Sequence, residues 1–129
     1  MALILVVDDS AAARKAITSI LESANHRVIS ASSGQEALDI APKMHPDLII
    51  MDVLMESMNG FEATRSLSSI EETANIPVII VSARASESDK KWGMRQGARD
   101  YIVKSPDERD LKRDLKKDLL MSIQKILEE

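Results

Sequence analysis

Three short apolar runs constrain this chain more than any other feature. Leu3-Ile4-Leu5-Val6-Val7 gives way to Asp8-Asp9, Leu48-Ile49-Ile50-Met51 to Asp52, and Val78-Ile79-Ile80-Val81 to Ser82. Runs of this length, rich in β-branched residues and without polar alternation, read as strands buried on both faces. A strand buried on both faces needs helices above and below it. The segments between the runs supply them.

Ser10 is a good N-cap for a helix carrying Ala11 to Ala13, Ile17, Ile20 and Leu21. His26 to Ala31 alternates weakly and reads as a second strand. Ser33-Gly34 leads into a helix through Ala37, Leu38 and Ala41, and Pro46-Asp47 marks a turn. Asn59-Gly60 is a turn before a helix with Phe61 and Leu67 inward. A further helix runs from about Ser86 to Gln96, with Gly97 suited to its C′ position. Tyr101-Ile102-Val103 is a short strand ending at Lys104. Pro106, suited to a helix start, opens a long final helix. Strand and helix alternate throughout, which predicts a doubly wound α/β fold: five parallel strands with helices on both faces.

Composition narrows the function. The chain has 129 residues, which suits one domain with no room for a separate output domain. A net charge of -4 leaves no electrostatic footprint for nucleic acid. The absence of cysteine excludes disulfides and thiolate metal sites. The N-terminal apolar run is too short for a signal peptide, and no stretch approaches a membrane span. The expectation is a soluble cytoplasmic protein, with neither membrane nor nucleic acid among its partners.

The carboxyl ends of parallel strands share one sheet edge, and ligands bind there where the strand order reverses. That edge would carry Asp8 and Asp9 from the first strand, Asp52 from the third, Ser82 from the fourth and Lys104 from the fifth. Adjacent carboxylates repel, and burial raises the cost of ionising them. A hard divalent cation such as magnesium relieves both. A softer metal would call for His or Cys, and His26 and His45 read as surface residues. A carboxylate can also be a nucleophile that forms an acyl phosphate. Asp52, on the central strand, is best placed for that role, with Lys104 and Ser82 pairing with phosphoryl oxygens.

Singly, these residues have bland readings. Asp8-Asp9 could merely cap a helix, Asp52 could be a turn residue, Lys104 a solvated charge and Tyr101 plain core. Their joint arrival at successive strand ends favours the chemical reading. The Met residues read as core filler. Glu108 to Asp118 reads as a solvated helix face with i,i+4 pairs.

The motifs Val-Val-Asp8-Asp9-Ser10, Ile-Met-Asp52-Val-Leu-Met55 with Gly60 following, Val81-Ser82-Ala83 and Tyr101-Ile-Val-Lys104 resemble the receiver domain of two-component response regulators. The likeness spans essentially the whole chain. The stretch Asp89 to Tyr101 is similar to stand-alone regulators of the chemotaxis-like systems that control type IV pili and twitching. The resemblance implies a flavodoxin-like and CheY-like strand order, 2-1-3-4-5. It implies one receiver domain over residues 1–129 and a signalling role without turnover of an external substrate. It makes Asp52 the phosphoacceptor. Asp9, Asp52 and the backbone carbonyl of Leu54 would ligate magnesium, with Asp8 acting through water. Ser82 and Tyr101 would form the switch. Partners would be a histidine kinase or phosphotransfer protein and a downstream protein target, with the chain a monomer or weak dimer.

The sequence departs from the family in three places. Glu56 stands where Pro is frequent after Met55. Ser105 stands where Pro follows the lysine across a cis bond, with Pro106 one residue later. A cis bond before a residue other than Pro costs about 2.5–4 kcal/mol, which removes the usual support for the reach of Lys104. The final helix continues past Leu111, Leu115 and Leu119 through Ile123, Ile126 and Leu127, longer than covering the sheet requires. That apolar extension is expected to pack on a partner or a second copy. Leu54 and Arg84 occupy positions that tune phosphoryl lifetime in the family.

Overall fold

Each apolar run forms a strand, and each amphipathic stretch a helix. The computed structural model describes residues 1–104 and 108–129, with side chains described except at 108–114. The elements are β1 (Leu3–Val7), α1 (Ala11–Ser23), β2 (Arg27–Ala31), α2 (Gly34–Met44), β3 (Leu48–Met51), α3 (Gly60–Ser69), β4 (Val78–Ser82), α4 (Glu87–Arg95), β5 (Asp100–Val103) and α5 (Glu108–Leu127). The role of Pro106 as helix opener and the geometry of the Lys104–Ser105 bond fall outside the described residues.

All strand pairs are parallel, in the order β2-β1-β3-β4-β5. The chain steps from β1 to one side to make β2 and returns across it to make β3. The topological switch point therefore lies between β1 and β3. Val7 is level with Met51 in the register, so Asp8 and Asp52 leave the sheet at the same height. Ser82 pairs with Val103, which puts Lys104 at that edge too.

The inner strands are buried along nearly their whole length, as uninterrupted apolar runs require. β2 is an edge strand, with Arg27 and Ser30 exposed. Alternate strand residues feed two cores. Ile4, Val6, Ile50, Ile79 and Val81 pack with α1 and α5 on one face. Leu5, Val7, Ile49, Met51 and Ile80 pack with α2 and α3 on the other. Ser10, Ser33, Asn59 and Ser86 each cap a helix by accepting a hydrogen bond from the backbone N–H three residues on. Gly97 follows α4 at φ +113, as a C′ glycine should.

The structure overturns the expectation for the end of α5. Ile123 and Ile126 of α5 are 1% and 8% exposed. They join the same core as Ala2, Ile17 and Leu21. Through these two residues the extension covers the chain's own sheet and α1, and of Ile123, Ile126 and Leu127 only the last stays exposed, at 38%. A stripe at helical spacing says that a face is covered, but not by what.

Candidate functional site

β1 and β3 end level with each other, and the carboxylates that follow them converge. Asp8, Asp9 and Asp52 each offer an oxygen within 4.8 Å of the others. Asp8 and Asp52 are buried, while Asp9 is exposed at the mouth. Each buried carboxylate is fixed by local backbone. The Ser10 N–H donates to Asp8 Oδ1 at 2.9 Å, and the Val53 N–H donates to Asp52 Oδ1 at 2.8 Å. Arg14 of α1 donates from Nη1 to the Asp8 carbonyl at 2.7 Å, tying the strand end to the helix after it.

Lys104 does reach the cluster. Its Nζ lies 3.1 Å from Asp8 Oδ2 and 3.8 Å from Asp52 Oδ1. Its backbone N–H donates to the Ser82 carbonyl at 2.8 Å, which continues the β4–β5 ladder and aims the lysine along the edge. Burial pushes the Asp52 carboxyl up to about 6, with Lys104 opposing and Asp8 adding to the rise. At neutral pH Asp52 is still mostly ionised.

The donor set fits a magnesium ion. Three carboxylates against one ammonium leave two negative charges uncompensated when all are ionised. The ligand atoms are hard oxygens grouped at one sheet edge, as a small divalent cation requires. Glu56, which stands where the family has Pro, lines a groove together with Asp9, the exposed member of the cluster. Leu54 is 54% exposed in the same loop.

Ser82 is fully buried at the end of β4, and its Oγ accepts from the Arg84 N–H at 3.2 Å. The Tyr101 hydroxyl donates to the Arg84 carbonyl at 2.8 Å. Arg84 Nη2 pairs with Asp89 at 2.9 Å, and its guanidinium lies 5.9 Å from the centre of the Phe61 ring. The Ser86 hydroxyl, helped by Arg84, holds the Asp89 carboxyl below its usual range. Arg84 thus joins Ser82, Tyr101, α3 and α4. Its position alone gave no hint of this, because every link depends on how the loop closes. The sequence marks Gly60 as a turn residue and as part of the motif that follows Asp52, without saying what it clears. In the structure a Cβ there would fall 2.0 Å from the Asp52 carbonyl oxygen, so a bare glycine lets α3 press on the peptide after the carboxylate.

Comparison with known proteins points the same way. Residues 4–116 match the response regulator receiver domain family. The chain is 47% identical to the protein PilH of Pseudomonas aeruginosa over 111 residues, 86% of this chain and 92% of that protein. It spans 41–49% of the length of three transcriptional regulators, to each of which it is 37% identical. Among solved structures, the chemotaxis protein CheY4 of Vibrio cholerae superposes with a TM-score of 0.84 at 32% identity, covering 97% of this chain and 98% of that one. The CheX–CheY–BeF3–Mg2+ complex from Borrelia burgdorferi gives a TM-score of 0.84 at 26% identity, covering 96% and 87%. No helix among the described residues is long and apolar enough to cross a membrane.

Proposed function

Because the chain belongs to the response regulator receiver domain family, we propose that it is a phosphorylation-driven switch in which Asp52 is the phosphoacceptor. The observation that carries this reading is the convergence of Asp52 with Asp8, Asp9 and Lys104 at the β1/β3 switch point. An Asp52 carboxylate oxygen attacks the phosphorus of a phosphohistidine on a partner kinase or phosphotransfer protein. The P–N bond breaks as the O–P bond forms, and the imidazole leaves with the electron pair and takes up a proton. Asp52 begins this step ionised. Lys104, already within reach of both buried carboxylates, pairs with one phosphoryl oxygen. The Ser82 hydroxyl donates to another.

Asp9, Asp52 and the Leu54 carbonyl would hold magnesium directly, with Asp8 acting through water. When bound, the ion neutralises charge on the transferring oxygens. Hydrolysis of the acyl phosphate resets the protein, and no external substrate is turned over.

Ser82 and Tyr101 form the switch in this reading. Turning Ser82 toward the phosphoryl group removes the acceptor of the Arg84 N–H. The same Arg84 peptide region carries the acceptor of the Tyr101 hydroxyl, so a change at the strand end reaches the face of α4, β5 and α5. We place the protein in chemotaxis-like or pilus-motility signalling, as a cytoplasmic receiver domain. Its likeness to PilH over most of both chains supports this.

Incubation with acetyl phosphate and magnesium, read by intact mass, tests the proposal. The expected gain is one phosphoryl group, lost in Asp52→Asn and on removal of magnesium. An equal gain in Asp52→Asn would refute it.

A further inference from the structure

Helix α4 is held to the rest of the molecule by little. Its one buried residue is Gly93, and the Tyr101 ring occupies the space where a side chain would stand. A Cβ at position 93 would lie 2.9 Å from Tyr101 Cδ2, 3.2 Å from Tyr101 Cε2 and 3.0 Å from Ile80 Cδ1. The Ile80 methyl ends a flexible side chain and can yield. An aromatic ring cannot bend, so it must move as a body. Glycine is also a poor choice inside a helix on propensity alone, so its presence here answers a steric need.

The ring also has somewhere else to go. A groove of about 400 Å³ opens beside it, lined by Lys90, Ile102, Val103, Asp118 and Met121. In its present seat the ring packs against Gly93, and its hydroxyl is bonded to the loop that enters α4. In the groove it would give up both contacts.

We propose that Gly93 is a positioning residue: the space over its Cα is the seat of the Tyr101 ring, and occupancy of that seat sets how firmly α4 is docked. This rests on the reading of Tyr101 as the moving part of the switch. Filling the seat with one methyl group drives the ring into the groove and loosens α4. Without the ring the one tight contact left is with the flexible Ile80 methyl, which can yield, and the added methyl group at position 93 should tighten the helix by its propensity, by about fourfold. The substitution therefore changes sign with the residue at 101.

The test is hydrogen–deuterium exchange of the α4 amides in the full chain, without phosphodonor, for the wild type, Gly93→Ala, Tyr101→Ala and the double variant. β1 and β3 amides report global unfolding. Gly93→Ala is expected to speed α4 exchange severalfold in the wild-type background and to slow it about fourfold in Tyr101→Ala. Global unfolding of Gly93→Ala that is rescued in the double variant supports the same conclusion. Any result with the same sign in both backgrounds, or no effect beside Tyr101, overturns the seat. Phosphoryl uptake is read separately by mass, so failure of the Asp52 reading cannot be mistaken for failure of this one.

Discussion

At Gly60 the first turn of α3 presses on the peptide that follows Asp52, and a Gly60→Ala change tests whether that contact sets the site. The added Cβ would lie 2.0 Å from the Asp52 carbonyl oxygen, 2.7 Å from its carbon and 2.8 Å from Val53 Cα. All three are backbone atoms, so no rotamer change relieves the clash. Real Cβ contacts are essentially never shorter than 3.0 Å. The end of β3 and the start of α3 must therefore part by about 1 Å. Overpacking of this kind costs roughly 1–3 kcal/mol of stability, less than a typical domain holds in total. A misplacement of about 1 Å in a reacting group costs on the order of 100-fold in rate. The variant should stay folded by circular dichroism and take up phosphoryl from acetyl phosphate about two orders of magnitude more slowly. Uptake within twofold of wild type, with the melting temperature unchanged, would refute the argument that this glycine positions Asp52.

Three further outcomes follow from the geometry. Burial raises the Asp52 carboxyl from 3.8 to about 6, so between roughly pH 4 and pH 6 the folded chain holds a proton there that the unfolded chain has released. The stability this group contributes in metal-free protein is present below its unfolded pKa and lost as pH rises through 6. The advantage of Asp52→Asn over wild type in urea should thus grow from pH 4 to pH 7 and then level off, and a gap that narrows with rising pH contradicts the assignment. Truncation after Leu120 removes Ile123 and Ile126, at about 1.5–3 kcal/mol for each buried side chain. The urea midpoint should fall sharply, whereas an unchanged midpoint would show that the tail lies off the core. Leu54 is half exposed and cannot orient water by hydrogen bonding, so Leu54→Asn should lose its phosphoryl group several times faster. Equal decay would discount that role.

The sheet was legible because unbroken apolar runs have few places to go. Leu48–Met51 and Val78–Ser82 are too short for helices and too apolar for loops, and both are buried throughout. The carboxylate cluster was legible because parallel strands deliver their ends to one edge. Contacts that depend on loop closure were not. Lys104 and Asp8 are 96 residues apart, and the missing Pro argued against a reach that the β4–β5 ladder in fact provides. The links through Arg84 arise from a turn whose conformation no local pattern announces. The apolar stripe of α5 is plain in the sequence, but its neighbour is not, because spacing carries no information about which surface it meets. Gly93 and Gly60 look alike as letters, and only the backbone shows what each one clears.

The identity of the residue that carries the phosphoryl group decides whether Asp52 is the acceptor. Borohydride reduces an aspartyl phosphate to homoserine, which peptide mass spectrometry can locate after reaction with acetyl phosphate and magnesium. Homoserine is expected at position 52, with Asp8 and Asp9 unmodified. Homoserine at Asp8 or Asp9, with Asp52 intact, would contradict it.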